Sequence, residues 1–245
     1  MIRDIKAQYR QSFLGLLWAF IPPVVTAVGL TYAQSSGVVS LGETDLPYPA
    51  YVVFSMALWQ TFVESLSGPI SSVSAARTML AKINFPREAL VLAKLGELFF
   101  NFSIKLILIV GLFIWFQMPV TWLVILAPVA LIHLTILGTG IGLFLAPFGV
   151  LYQDVSRLLT IIVVPWLVIT PVIYAPPETV GIFSSIVQWN PVTPLLVMTR
   201  ELATTGVLTA ETAFWRASLV AWLLLIVGWL LYRLSMPFIV ERMSA

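Results

Sequence analysis

The sequence predicts an all-α integral membrane protein. The expected fold has six transmembrane helices, a short amphipathic helix in a basic cytoplasmic loop and an outer re-entrant helical hairpin. Three observations carry this expectation. Of 245 residues, 60% are apolar and only 10% are charged, whereas a soluble domain is nearer one quarter charged. Six stretches reach the roughly 20 apolar residues that a span requires. The basic residues, finally, gather in alternate loops.

The expected spans are Phe13–Ala33, Ala50–Ile70, Leu95–Phe116, Val120–Ala146, Val155–Tyr174 and Ala213–Tyr232, in a single transmembrane domain covering residues 1–245. No internal repeat or low-complexity linker is visible. The polar opening, Met1 to Ser12, is no hydrophobic signal core, and no small-residue cleavage site follows it, so the first span reads as the anchor. With an even number of spans both ends share one side. The N-terminal tail, the Arg77–Lys94 loop, Arg157 and the C-terminal end hold Arg3, Lys6, Arg10, Arg77, Lys82, Arg87, Lys94, Arg157, Arg233 and Arg242. The opposite loops hold Arg200 and Arg216. Both termini are therefore expected in the cytoplasm, and the chain in the cytoplasmic membrane.

Pro22-Pro23, Pro128, Pro165 and Pro171 mark kinks or broken ladders in the spans. Gly138, Gly140 and Gly142 permit close helix approach. The basic island from Ala75 to Lys94 is longer than a turn needs. Up to Asn84 it fits a short amphipathic helix, with Met79, Leu80 and Ile83 on one side and Thr78 and Lys82 on another. Pro86 disfavours the helical region at Phe85 and ends it. On the opposite side, Ala175–Glu211 is too apolar for a plain loop. Val180–Gln188 is too short to cross, Trp189-Asn190-Pro191 is a break, Thr193-Pro194 suggests a cap with proline at the first helical position, and Gly206 suits a C-terminal cap. Two short helices dipping into the outer leaflet are expected.

Cysteine is absent and His133 is the single histidine, which excludes disulfides, thiolate sites and a multi-histidine metal centre. No G-x-x-x-x-G-K-[ST] loop occurs, so no phosphate-cradling motor motif lies in this chain. No catalytic triad or carboxylate pair is recognisable, and no catalytic or metal residue is assigned. Glu64, Glu97, Lys105 and His133 are the ionisable residues at membrane depth. Lys105 lies about 15 Å into its span, and leaving it unpaired would cost roughly 2.5–3.5 kcal/mol or more. Glu97, Asn101 and Lys105 form a polar stripe, but Glu97 is about 12 Å from Lys105 along the axis. Glu64 on the preceding helix is another partner. The alternatives are a hydrophilic pathway and a buried structural ion pair; His133 reads as a hydrogen-bonded structural residue. Trp115, Trp122, Trp189, Trp215 and Tyr232 fit an interfacial belt. Trp18, Tyr32, Tyr51, Phe54, Trp59, Phe62, Trp166 and Tyr174 spread through membrane depth, as core, lipid-facing or sugar-stacking groups.

Ordered motifs add a family resemblance. Arg3–Trp18 (RDIKAQYRQSFLGLLW) with Pro22-Pro23 resembles the opening of type-2 ABC exporter permeases of the polysaccharide branch, which exports capsule, O-antigen and teichoic-acid polymers. The likeness continues through Lys82–Arg87 (KINFPR), Tyr152–Val155 (YQDV), Thr170–Tyr174 (TPVIY), Asn190–Pro194 (NPVTP) and Phe238–Arg242 (FIVER). It implies a homodimer that recruits two copies of a separate ABC ATPase, with ATP and magnesium bound there and no cofactor here. Arg3, Asp4, Lys6, Tyr9 and Arg10 would lie on an interface helix, shorter than family members usually carry. Arg77, Met79, Lys82, Ile83, Asn84, Phe85, Pro86 and Arg87 would couple to the ATPase. Trp18, Tyr32, Tyr51, Phe54, Trp59, Phe62, Glu64, Lys105, Trp166 and Tyr174 become candidates for a channel that carries a lipid-linked glycan. Val180, Phe183, Trp189, Asn190, Pro191 and Pro194 would form an outer gate. Membrane lipids are expected contacts and nucleic acid is not. The alternatives are a type-2 exporter of a small molecule or drug, an ion-coupled carrier, or a polytopic membrane enzyme; a carrier should show repeated halves, and none is seen.

Overall fold

The computed structural model describes residues 20–36, 44–76, 86–152, 154–177 and 181–244, without the side chains of 240 and 242–244. Among them the regular structure is entirely helical. The helices are α1 (Ile21–Ser35), α2 (Tyr48–Ala75), α3 (Glu88–Trp115), a 3₁₀ turn (Trp122–Leu126) running into α4 (Ala127–Leu151), α5 (Asp154–Ile169), α6 (Ile182–Trp189), α7 (Val192–Ala203) and α8 (Glu211–Ser244).

Helix α2 is the axis of the molecule. It is buried on most of its circumference, with Val52, Leu58, Phe62 and Leu66 at or below 1% exposure. Its richest contacts are with α4, and α4 in turn packs most extensively on α8. The glycines of α4 make both approaches possible. A Cβ on Gly138 would strike the Ser65 hydroxyl and the Phe62 carbonyl, and one on Gly142 would strike the Leu66 carbonyl, all on α2. On the opposite face, a Cβ on Gly140 would come within 2.7 Å of the Leu225 nitrogen of α8, and Gly228 meets the Gly140 carbonyl. Without a hydrophobic drive between helices in lipid, such backbone contact is the main source of attraction.

Among the described residues, three helical stretches are long and apolar enough to cross a bilayer: Glu88–Trp115, Trp122–Leu151 and Glu211–Ile239. Helix α2 has 28 residues, about 42 Å of rise, but its sequence interleaves Ser, Thr, Gln and Glu with the apolar residues. As described, α1 has 15 residues and α5 has 16, fewer than the roughly 20 of a full span.

The prolines sort by position. Pro22 and Pro128 fall in the first turns of α1 and α4 as described, where the missing N–H has no partner to lose. Pro165 lies inside α5, whereas Pro171 lies beyond its last residue, in the Thr170–Tyr174 turn. The expected proline break is thus a helix end.

Both hairpin helices are present, with a change in how the second begins. Its first residue is Val192, with Pro191 at the cap position, and the Asn190 side chain just before it accepts from the Val192 N–H at 3.2 Å. Thr193 does not cap: its hydroxyl is buried without a hydrogen-bond partner among the described residues. Asparagine outcompetes threonine because it stands before the turn, facing the free N–H groups. Gly206 adopts φ +71° and its N–H returns to the Glu201 carbonyl at 2.8 Å, the left-handed C-terminal closure the sequence suggests.

Candidate functional site

The densest meeting of the residues singled out from sequence lies where α2, α5 and the α6–α7 hairpin converge. Trp59, Phe62 and Trp166 form an aromatic triangle. Their ring centroids lie 5.4 Å (Trp59–Phe62), 6.4 Å (Trp59–Trp166) and 5.2 Å (Phe62–Trp166) apart, and both contacts to Trp166 are edge-on, the geometry that the ring quadrupoles favour. The Trp166 indole N–H donates to Asn190 Oδ1 at 3.0 Å, and Asn190 Nδ2 donates to Thr170 Oγ1 at 2.8 Å. With the Val192 N–H as well, one buried amide joins the end of α5, the hairpin turn and the start of α7. An open groove of about 640 Å³ flanks this point, bounded by Trp166 and Ile169 of α5 and by Ile182, Ser185, Ile186 and Trp189 of α6.

A second network pins the turn after α5. The Tyr51 hydroxyl donates towards the carbonyls of Tyr174 at 2.7 Å and Pro171 at 3.2 Å, and the Tyr48 hydroxyl donates to that of Ile173 at 2.8 Å. The Arg200 guanidinium sits 4.1 Å from the Tyr51 ring centre and donates to Ser55 Oγ at 2.9 Å and to the Pro171 carbonyl at 3.4 Å. Arg200 is 4% exposed. Beside it, Glu201 accepts from the Thr209 N–H at 3.0 Å and from the Thr209 hydroxyl. Burial raises the Glu201 carboxyl above its ordinary range, while the Thr209 donors and Arg200 pull it back.

The third feature is the less buried stripe of α2. Lys105, itself 4% exposed, reaches Glu64 Oε1 at 2.7 Å, while the Glu64 side chain keeps about a third of its surface open. Glu97 pairs instead with Lys94, at 2.9 Å one helical turn away. Next to Glu64, a cleft of about 420 Å³ between α2 and α5 carries Ser67, Ser71, Ser156 and Thr160. The hydroxyls of Ser67, Ser71 and Thr160 donate to carbonyls of their own helices.

The remaining candidates are placed as follows. Tyr51, Phe54, Trp59 and Phe62 are core residues in this conformation, Tyr32 is exposed, and Tyr174 is half-buried with its ring 5.9 Å from that of Phe183. Trp189 is exposed, Pro191 half-buried and Pro194 buried. Arg87 caps α3, and its carbonyl accepts from the buried Tyr232 hydroxyl at 3.0 Å, so α8 holds the exit of the basic island next to Pro86. Arg3, Asp4, Lys6, Tyr9, Arg10, Trp18, Arg77, Met79, Lys82, Ile83, Asn84, Phe85 and Val180 lie outside the described residues. His133 Nδ1 lies 2.8 Å from the Val129 carbonyl, with the rings of Phe214, Trp215 and Trp222 around it. Among the described residues no His, Asp and Glu cluster fits a metal.

Sequence reasoning missed Ser55, Thr170 and above all Arg200, which it counted only as a loop charge. The signal available was the amphipathic Val192–Ala203 stretch, which places an arginine where a plain loop has no reason to.

Comparison with known proteins extends these observations. The chain is 31% identical over 175 residues to the O-antigen export system permease protein RfbA of Myxococcus xanthus, a match covering 70% of this chain and 65% of that protein. Two permeases of the same description from Klebsiella pneumoniae are 26% and 24% identical over 212 and 211 residues, each match covering 85% of this chain and 80% of the relative. The chain thus spans just under two thirds of the Myxococcus protein and more of the others. Residues 1–203 match the ABC-2 type transporter family, and the chain belongs to that family.

Proposed function

We propose that this chain is the membrane subunit of an ATP-driven exporter that moves a lipid-linked polysaccharide across the cytoplasmic membrane. The substrate class follows the relatives named as O-antigen export permeases. The structural observation that carries the reading is the Trp166–Asn190 link, which ties a deep aromatic triangle to the outer hairpin. Opening the hairpin then moves the aromatic wall with it.

In this reading α1, α2 and α5 complete six spans, with both termini in the cytoplasm. Two copies of the chain pair, and two ABC ATPase subunits bind ATP and magnesium from below. Helix α5 has no fully buried residue, and its exposed Leu158, Ile161, Ile162, Val164 and Val168 offer an apolar face to the second copy. The groove at Trp166, the Glu64 stripe and the serine-lined cleft form one wall of the path, with Tyr32 and Tyr174 beside it. Tyr51, Phe54, Trp59 and Phe62 meet cargo only when the helices separate. Aromatic faces suit a moving glycan because they grip sugar rings without fixing one pattern of hydrogen bonds. Arg77–Arg87 receives the push of the ATPase, Arg3–Arg10 lies along the inner surface, and the Val180–Pro194 hairpin gates the exit.

The test is co-expression with the ATPase encoded beside the gene, followed by purification and a glycan-export assay. The subunits are expected to co-purify, and Arg77→Glu with Lys82→Glu to abolish both association and export. Trp166→Ala should lower export while leaving association intact. Failure to associate, or indifference to the charge reversal, overturns the proposal.

A further inference from the structure

A small cleft on the other side of the hairpin has no part in this path. It measures about 360 Å³ and lies between the hairpin turn, at Gln188–Pro194, and the first turns of α8, at Ala213–Val220. Its floor is apolar, made by Pro191, Pro194, Ala217 and Val220, and its rim carries Gln188 and Arg216. Asn190 also borders it, but both ends of its amide are already engaged.

Arg216 is the unusual member. By the distribution of basic residues, this end of α8 faces away from the cytoplasm, where the sequence places only Arg200 and Arg216. Arg200 is buried in the turn network, which leaves Arg216 as the exposed cation. Its recorded contact is a long one, Nε to the Thr212 carbonyl at 3.4 Å, and among the described residues it forms no ion pair. Arg216 is exposed and lines the cleft. Trp189, which lines the cleft, and Trp215, next to Arg216 in α8, are both exposed, as aromatics of a headgroup layer are. Val220 lies one turn, about 6 Å, deeper. A cation and an amide at the rim, above an apolar floor that descends along α8, match an amphiphile with an anionic head.

We propose that this cleft binds a glycerophospholipid of the outer leaflet. The lipid phosphate bridges the Arg216 fork and the Gln188 amide, and the upper part of one acyl chain lies against Ala217 and Val220. A guanidinium suits the role because its planar donors grip two phosphate oxygens at once, which an ammonium does not. The bound lipid fills the gap between the hairpin and α8. This inference rests on the proposed orientation, with both termini in the cytoplasm; it is independent of the ATPase and of the cargo.

The experiment uses the full chain, purified in detergent and stripped of lipid, with bound molecules counted by native mass spectrometry. The probe is dioleoyl phosphatidylglycerol, with dioleoylglycerol and inorganic phosphate as separate arms. One phosphatidylglycerol per chain is expected at the lowest saturating step. Arg216→Gln should weaken that step about tenfold, the loss of one charge-assisted contact, and Arg216→Lys about threefold; Arg157→Gln, at an exposed cation at the opposite end of the membrane, should leave it unchanged. Equal binding of dioleoylglycerol, displacement by inorganic phosphate at matching concentration, or unaltered binding in Arg216→Gln overturns the assignment. If the glutamine variant fails to fold, the lysine variant decides by the same measure.

Discussion

Replacing Asn190 with alanine removes one small side chain and disturbs three elements. Asn190 Oδ1 accepts from the Trp166 indole and from the Val192 N–H, and Nδ2 donates to Thr170. Val192 and Thr170 are fully buried, while Trp166 is half-buried. Alanine leaves the Val192 N–H with no acceptor and no water, at about 1–3 kcal/mol, and the partly accessible indole at the lower end of that range. Thr170 loses a donor but keeps its own bond to the Trp166 carbonyl at 2.9 Å, so its share is small. The total is about 2–4 kcal/mol, which for a chain of this size lowers the melting temperature by about 5–15 °C. Thermal unfolding in detergent, followed by tryptophan fluorescence, reads this shift. Thr170→Val, which removes one acceptor and keeps the volume, should cost about half as much. Hydrogen exchange should rise at 182–203 in the alanine variant and stay unchanged in α4. A melting point within about 1 °C of the parent would refute the claim that this amide fastens the hairpin.

Three further outcomes are expected. Gly142→Ala should destabilise by about 1–3 kcal/mol, because its Cβ meets the Leu66 carbonyl. Gly111→Ala, with nothing within 4 Å of its Cβ, should be neutral or slightly stabilising; paired thermal melts separate the two. For the Glu64–Lys105 pair, Glu64→Gln leaves a buried ammonium short of its counter-charge, so the single variant should cost more than the double variant with Lys105→Met. A double-mutant cycle should give a coupling of about 1–3 kcal/mol, and a coupling near zero would show that the pair is not energetically joined. Arg200→Lys keeps the charge but loses the flat contact with Tyr51 and the reach to both Ser55 and Pro171. A loss of about 1–3 kcal/mol in thermal stability is expected, with proteolytic sensitivity appearing first in the 170–177 turn.

The sequence by itself determined the class of the protein and where most of its described helices lie. Composition forces a membrane setting, and within the described residues each apolar run is helical over most of its length because backbone groups in lipid have to be satisfied within their own segment. The hairpin was legible too, since Asn190, Pro191 and Gly206 act through local backbone geometry that near neighbours decide. Even the Glu64 partnership was within reach, because the cost of a lone lysine at depth demands a carboxylate at matching height.

Only the tertiary structure decided which residues are wall and which are core. Tyr51, Phe54, Trp59 and Phe62 have the same chemistry whether they face a cargo path or a neighbouring helix, and in α2 the packing of α3, α4 and α5 buries them. Arg200 shows the same limit from the other side. Charge and loop position suggest water, yet Tyr51, Ser55 and the Pro171 carbonyl, from sequence positions 29 to 149 residues away, surround it. Helical periodicity reports one face of one element at a time. Burial is a property of three elements meeting, and it is settled where α4's glycines let the backbones close.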